Sequence, residues 1–219
     1  MAAELNTKCW YNKVCQNKNC STCIRYPEML YLMQNSGLPE AKWHPIDLYA
    51  NSKNDDIMFK RLAEIKSRIV DFVNNGENLY ISSKYTGNGK TSLAIKLLFR
   101  YFDQVWAGNG FRVRGMFVHV PSLLLKLKNF KNPVSDEYRK NIENCDLIVW
   151  DDIASAELSN YDYSQLLMFI DGRMLSEKAN IFTGNLIKEE DLMEVIGERL
   201  ASRIFNTSQI VIFDGKDQR

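Results

Sequence analysis

Six residues near the middle of the chain, Gly87, Asn88, Gly89, Lys90, Thr91 and Ser92, have the types and spacing to hold a polyphosphate. Glycines let consecutive backbone N–H groups converge on phosphate oxygens at the positive end of a following helix. A lysine then reaches the outer phosphates and a hydroxyl ligates magnesium. The surrounding stretch reads LYISSKYTGNGKTSL, and Lys84 stands where the pattern G-x-x-x-x-G-K-T has its first glycine. If that position needs a positive φ, a lysine costs about 1 kcal/mol or more; if not, Lys84 only changes the rim of the pocket. Downstream, Asp151 and Asp152 close the apolar run DLIVW. At the carboxyl end of a strand beside the loop, they can face a magnesium ion and an attacking water.

Two further clusters carry other chemistry. Cys9, Cys15, Cys20 and Cys23 are spaced C-x5-C-x4-C-x2-C, and four thiolates make a closed, structural tetrahedral zinc site. With no secretion signal in the sequence, such clustering argues for metal before disulfides. A segment this short has too little core to fold alone, and zinc would supply the missing stability. In LLLKLKNFKN, Lys126, Lys128, Phe130 and Lys131 interleave cations with an aromatic ring, which suits a weak single-stranded DNA site. The competing reading is an amphipathic helix with Leu123, Leu124, Leu125 and Leu127 turned inward.

The elements that would position these residues alternate. Ile57, Leu62, Ile65, Ile69, Phe72 and Val73 recur at helical spacing until Asn74, Asn75 and Gly76 end the helix. There follow a strand NLYIS, the glycine loop, a helix through Tyr101, a strand GMFVHV, a helix from Pro121, and the buried strand DLIVW. A helix around YSQLLMFIDGRML, a strand NIFTGN, a helix EEDLMEVIGERLASRIF and a strand QIVIF complete the pattern. It predicts an α/β fold, a parallel sheet flanked by helices on both faces. With 219 residues, 45% of them hydrophobic, one main core and a small appendage are expected. The expected division is a zinc-binding module at 1–37, a linker at 38–55 and a nucleotide-binding domain at 56–219. Twenty-eight basic residues against 27 acidic, net +1, exclude nucleic-acid binding through bulk charge. No apolar run approaches the roughly 20 residues of a membrane-spanning helix, so no membrane partner and a cytoplasmic location are expected.

Taken in order, the loop, IVWDD, the arginine in MFIDGRML, NIFTGNL and GERLASRIF resemble AAA+ ATPases of the replicative helicase loader type, the DnaC/DnaI group. The resemblance covers about residues 75 to 214. It implies ATP and Mg2+ as cofactors, with Gly87 to Ser92 cradling the nucleotide and Thr91 and Asp151 holding magnesium. Asp152 would polarise the attacking water, where many AAA+ proteins have glutamate, and the shorter side chain implies slow hydrolysis. Asn185 matches the polar sensor near the γ-phosphate, and Thr183 falls where loaders often have a hydroxyl. Arg199 or Arg203 would be the arginine finger donated to a neighbouring subunit, and Arg173 a second interface arginine. The chain ends soon after QIVIFDG, so the helical lid of most AAA+ proteins is not expected. The implied function is an ATP-dependent helicase loader that self-assembles with ATP, binds the replicative DNA helicase and helps deposit it on single-stranded DNA. The N-terminal zinc module would hold the helicase, with Met29 to Met33 either its docking face or packed on the ATPase domain, the docking face being the expectation. The alternatives are an AAA+ transposition regulator similar to the IstB group and a non-catalytic adaptor whose loop Lys84 has spoiled.

Overall fold

The computed structural model describes residues 9–11, 14–16, 22–43, 48–108, 111–129, 134–155 and 158–215. Strand β1 (Asn78–Ser83) lies between β4 (Ala179–Gly184) and β5 (Ser208–Phe213). Strand β3 (Leu147–Asp151) joins β4 to the edge strand β2 (Gly115–His119), and every pairing is parallel. Every residue of β1, β3 and β4 is buried, because helices cover both faces of the sheet. That is why these strands read as unbroken apolar runs.

One face is covered by α1 (Arg25–Gln34), α2 (Lys53–Ser67), α3 (Ile69–Asn74) and α4 (Lys90–Gln104). The other is covered by α5 (Val120–Leu127), α6 (Asp136–Asn144), α7 (Asn160–Leu175), α8 (Glu189–Ile196) and α9 (Glu198–Thr207). Two helices expected as continuous are broken. Arg68, at φ −112° and ψ 29°, separates α2 from α3, and its guanidinium pairs with Glu77. Gly197, at φ +84°, separates α8 from α9 in a conformation that a β-carbon disfavours. Helix α6 was not expected at all. It buries Ile142 alone and is started by Ser135, whose hydroxyl accepts from the Tyr138 N–H, so it leaves no apolar period in the sequence. Among the described residues no helix is long and apolar enough to cross a membrane.

Helix α1 corrects the expected docking face. Met29, Leu32 and Met33 are buried in one cluster with Phe72, Leu98 and Phe102. Its Arg25 guanidinium donates to the carbonyls of Val105 (2.8 Å) and Phe102 (2.5 Å). After the helix, the Phe117 N–H on edge strand β2 donates to the Ser36 carbonyl at 2.6 Å. An apolar stripe finds water costly wherever it lies, and the nearest uncovered surface is α4 of the same chain. The boundary expected at residue 37 therefore runs through a continuous core. Replacing Met33 by Ala is expected to cost about 2–5 kcal/mol of unfolding free energy in urea titrations, as for other buried Met truncations. An independent docking arm would leave the main transition unmoved.

Candidate active site

The loop between β1 and α4 forms one wall of a cavity of about 450 Å³, lined by Thr86 to Ser92, Asp152, Thr183, Asn185 and Lys42. The left-handed positions in the loop are Gly87 (φ 77°) and Gly89 (φ 88°). A β-carbon on Gly89 would also fall 2.4 Å from Leu48 Cδ1, which a leucine side chain can yield, so it is the backbone that favours glycine there. Lys84 does not take a positive φ and lies exposed on the rim, so the glycine missing from the sequence pattern brings no left-handed strain. The Lys90 ammonium folds back on its own loop, donating to the Tyr85 carbonyl (2.9 Å) and Asn88 Oδ1 (3.1 Å). Burial lowers its pKa, and the charges of Asp152 and Asp151 oppose that shift. The buried Asn88 Nδ2 has no hydrogen-bond partner. An orphaned donor and a desolvated cation lining one cavity fit a polyphosphate ligand.

Asp151 ends β3, and its Oδ1 accepts from both Thr91 Oγ1 (2.7 Å) and Thr183 Oγ1 (2.9 Å). Thr183 in turn accepts the Asp152 N–H at 3.1 Å, which fixes the direction of its single proton toward Asp151. Asp152 sits at φ 63°, a left-handed turn that Asp tolerates better than most residues. That turn ends the strand and lets the Ile153 N–H donate to the Thr183 carbonyl (3.0 Å), leaving Asp152 on the cavity wall. Asn185 follows β4 directly and lines the same cavity. The structure thus brings Thr91, Asp151, Asp152, Thr183 and Asn185 together beside the loop. A hydroxyl and a carboxylate in contact can share a divalent cation, with a second carboxylate free to orient water.

The three arginines behave differently. Arg173 is 1% exposed. It donates to the carbonyls of Ile142, Cys145 and Ala179, each at 2.8 Å, and through Nε to Asn180 Oδ1 at 2.9 Å. Asn180 Oδ1 also accepts from the Trp150 indole at 3.1 Å. Arg173 therefore has no face to offer a neighbour, contrary to the expected interface role; it ties the end of α6 to β4 beneath the site. Arg199 and Arg203 instead lie on the surface of α9, one turn apart. Arg199 bonds Asp171 Oδ2 at 2.9 Å, while Arg203 Nε lies 3.1 Å from Oδ1 without hydrogen-bond alignment. Neither lines the cavity of its own chain.

The remaining expectations meet the structure unevenly. Lys128 pairs with the buried Asp162 at 2.6 Å, and Lys126 lies 6.0 Å over the Tyr138 ring, while Phe130 and Lys131 fall outside the described residues. Leu123 and Leu127 point inward as expected, but Leu125 is 71% exposed. Among the described residues Cys9, Cys15 and Cys23 form no disulfide, and Cys20 lies outside them. Among the described residues no three His, Cys, Asp or Glu side chains gather to hold a metal ion, so the described part of the tetrad lends zinc no support. Lys42 and Leu48 reach the site from the segment expected to be a linker, and no motif in that segment signals either.

By sequence, no family model and no curated protein matches the chain. Its structure is similar to the DnaC helicase loader, with a TM-score of 0.67 and 19% identity over 80% of this chain and 100% of that one. It is also similar to DnaI, with a TM-score of 0.64 and 20% identity over 83% and 94%. AMPPCP-bound DnaA from Aquifex aeolicus matches at 0.57 and 15% identity over 76% of this chain and 48% of the other. The chain has the AAA+ P-loop fold.

Thr183→Val should leave the Asp152 N–H without a partner and take one of the two hydroxyl donors from the buried Asp151 carboxylate, which keeps Thr91. Unfolding free energy is expected to fall by about 1–3 kcal/mol in denaturant titrations. Arg173→Ala should cost more, about 3–5 kcal/mol, by taking the guanidinium from three buried carbonyls and one of two donors from Asn180 Oδ1. Unchanged stability in that variant would return Arg173 to the list of candidate surface residues.

Proposed function

We propose that this chain is an ATP-dependent loader for a replicative DNA helicase, delivering it to single-stranded DNA. The observation that carries the reading is the union of an intact phosphate loop with a fold that spans the whole of the DnaC loader chain. Gly87, Gly89 and Lys90 would hold the ATP phosphates, and Thr91 with Asp151 would hold Mg2+. Bound ATP and magnesium supply the scissile phosphoanhydride and its charge neutralisation. Asp152 would orient water at the cavity wall, and Asn185 would sense the outer phosphate. Arg199 or Arg203 would complete the site of a neighbouring copy, so ATP occupancy and self-assembly would be linked.

The adaptor reading needs a spoiled loop. Lys84 is exposed and without positive φ, which favours a working loop over a spoiled one. Slow hydrolysis fits the short carboxylate of Asp152 and a finger arginine that must first leave Asp171. The reading does not depend on a metal at the cysteines, and the DNA contact is assigned to no particular residue.

Size-exclusion chromatography with light scattering, on this protein mixed with its source's replicative helicase, tests the proposal directly. With ATP and Mg2+ the two should co-elute. Lys90→Ala should weaken ATP binding by about tenfold to a hundredfold, the worth of a charge-assisted contact, and remove the nucleotide dependence of the complex. Absence of a complex under every nucleotide condition would overturn the loader reading and favour a transposition-type regulator.

A further inference from the structure

The cavity has one cationic wall that the phosphate loop does not supply. Lys42 belongs to a short 3-10 turn, Glu40–Lys42, more than forty positions upstream of the loop, yet it lines the same space as Gly89, Asp152 and Asn185. We propose that Lys42 is a nucleotide-binding residue, whose ammonium leaves the face of Phe117 to contact a phosphate oxygen of a nucleoside triphosphate. The proposal rests on the reading of this cavity as the ATP site.

Three features support the assignment. First, the backbone that carries Lys42 is held in place. The Lys42 N–H donates to the Pro39 carbonyl at 2.8 Å, the Trp43 indole donates to the Leu38 carbonyl at 3.1 Å, and Leu38 is buried. A pinned backbone leaves only the side chain to order on binding, which keeps the entropic cost of a new contact low. Second, the ammonium is available. It is exposed, no carboxylate among the described residues pairs with it, and its contact is the Phe117 ring at 5.4 Å. A cation over an aromatic face at an exposed position is held weakly, whereas a phosphate oxygen offers a charge-assisted hydrogen bond. Third, the cavity is short of positive charge. Asp151 and Asp152 face Lys90 alone within the loop motif, and burial already disfavours the charged form of that lysine. A polyanion entering the cavity gains from a second cation.

The same turn connects the site to the cysteine segment. Trp43 follows Lys42 directly, its ring packs 5.8 Å from that of Trp10, and Trp10 packs 5.6 Å from Tyr26. Cys9 adjoins Trp10 in the chain. A phosphate held at Lys42 brings negative charge close to the neighbouring Trp43 ring, which gives the contact an optical signature independent of hydrolysis.

Binding of mant-ATP with Mg2+, read by fluorescence anisotropy, should compare the full chain with Lys42→Ala, Lys42→Arg and Lys90→Ala. Lys42→Ala is expected to bind about tenfold more weakly, with Lys42→Arg within about threefold of the parent, since charge is what the contact needs. Tryptophan emission should change when unlabelled ATP is added to the parent and change less in Lys42→Ala. Parent-like affinity in Lys42→Ala, or equal loss in Lys42→Arg, would overturn the assignment while leaving the phosphate loop reading in place. A parent chain that binds mant-ATP no better than Lys90→Ala would overturn both. Lys42 is exposed, so thermal midpoints of its variants should match the parent and exclude misfolding as the cause.

Discussion

A single carboxylate oxygen holds the site together. Asp151 Oδ1 accepts the hydroxyl protons of Thr91 from α4 and Thr183 from β4 while Asp151 itself terminates β3. Three elements are thus fixed to one point, and the direction of each bond follows from simple valence. Thr183 spends its proton on Asp151, so its lone pair is free for the Asp152 N–H. That bond supports the left-handed turn at Asp152, and the turn in turn sets where the second carboxylate stands. A serine or threonine at position 183 is needed for this chain of consequences; an apolar residue of the same shape would break it at both ends.

Beneath that point lies a second polar frame, and its geometry explains why it is buried. Asn180 Oδ1 accepts from Trp150 on β3 and from Arg173 on α7, and its amide donates to Asn78 on β1 and to the Lys178 carbonyl. A guanidinium out of water is tolerable only when its donors are met, and Arg173 meets them with three carbonyls and an amide oxygen. The frame fixes the relative register of β1, β3 and β4, the strands whose carboxyl ends carry Ser83, Asp151 and Thr183. Rigidity below the sheet edge and an open cavity above it are complementary. The scaffold that positions the acids is not the surface that binds the ligand.

What the sequence made legible was local. The loop and the two acids are contiguous motifs flanked by strand and helix, so spacing alone placed them, and all five strands fall where apolar runs predicted. Arg173 was misjudged because an arginine after an apolar helix looks the same whether it faces water or carbonyls; only the Asn180 side chain, in another element, decides. Helix α6 escaped notice because its stability rests on a serine cap and one buried isoleucine, which leave no period. The breaks at Arg68 and Gly197 were invisible for the opposite reason: apolar spacing continues across both. Lys42 and Leu48 could not be found from spacing, since only the tertiary fold brings Lys42 to the cavity and Leu48 against Gly89.

That segment changes how the N-terminal region is understood. The residues from Arg25 to Trp43 are anchored to α4 and to edge strand β2 by buried methionines, by the main-chain bond at Ser36 and by the Arg25 guanidinium on the Phe102 carbonyl. A strand edge exposed to solvent invites pairing with another chain, and here the Ser36 carbonyl meets part of it. The apolar stripe expected to recruit a partner is therefore spent on internal stability. The segment that follows the cysteines is thus part of the same core as the phosphate loop, and its Lys42 lines the cavity. A partner engaged there and a nucleotide engaged below it would share the same few side chains, and two ligands that share a rigid segment need no long-range pathway to influence one another.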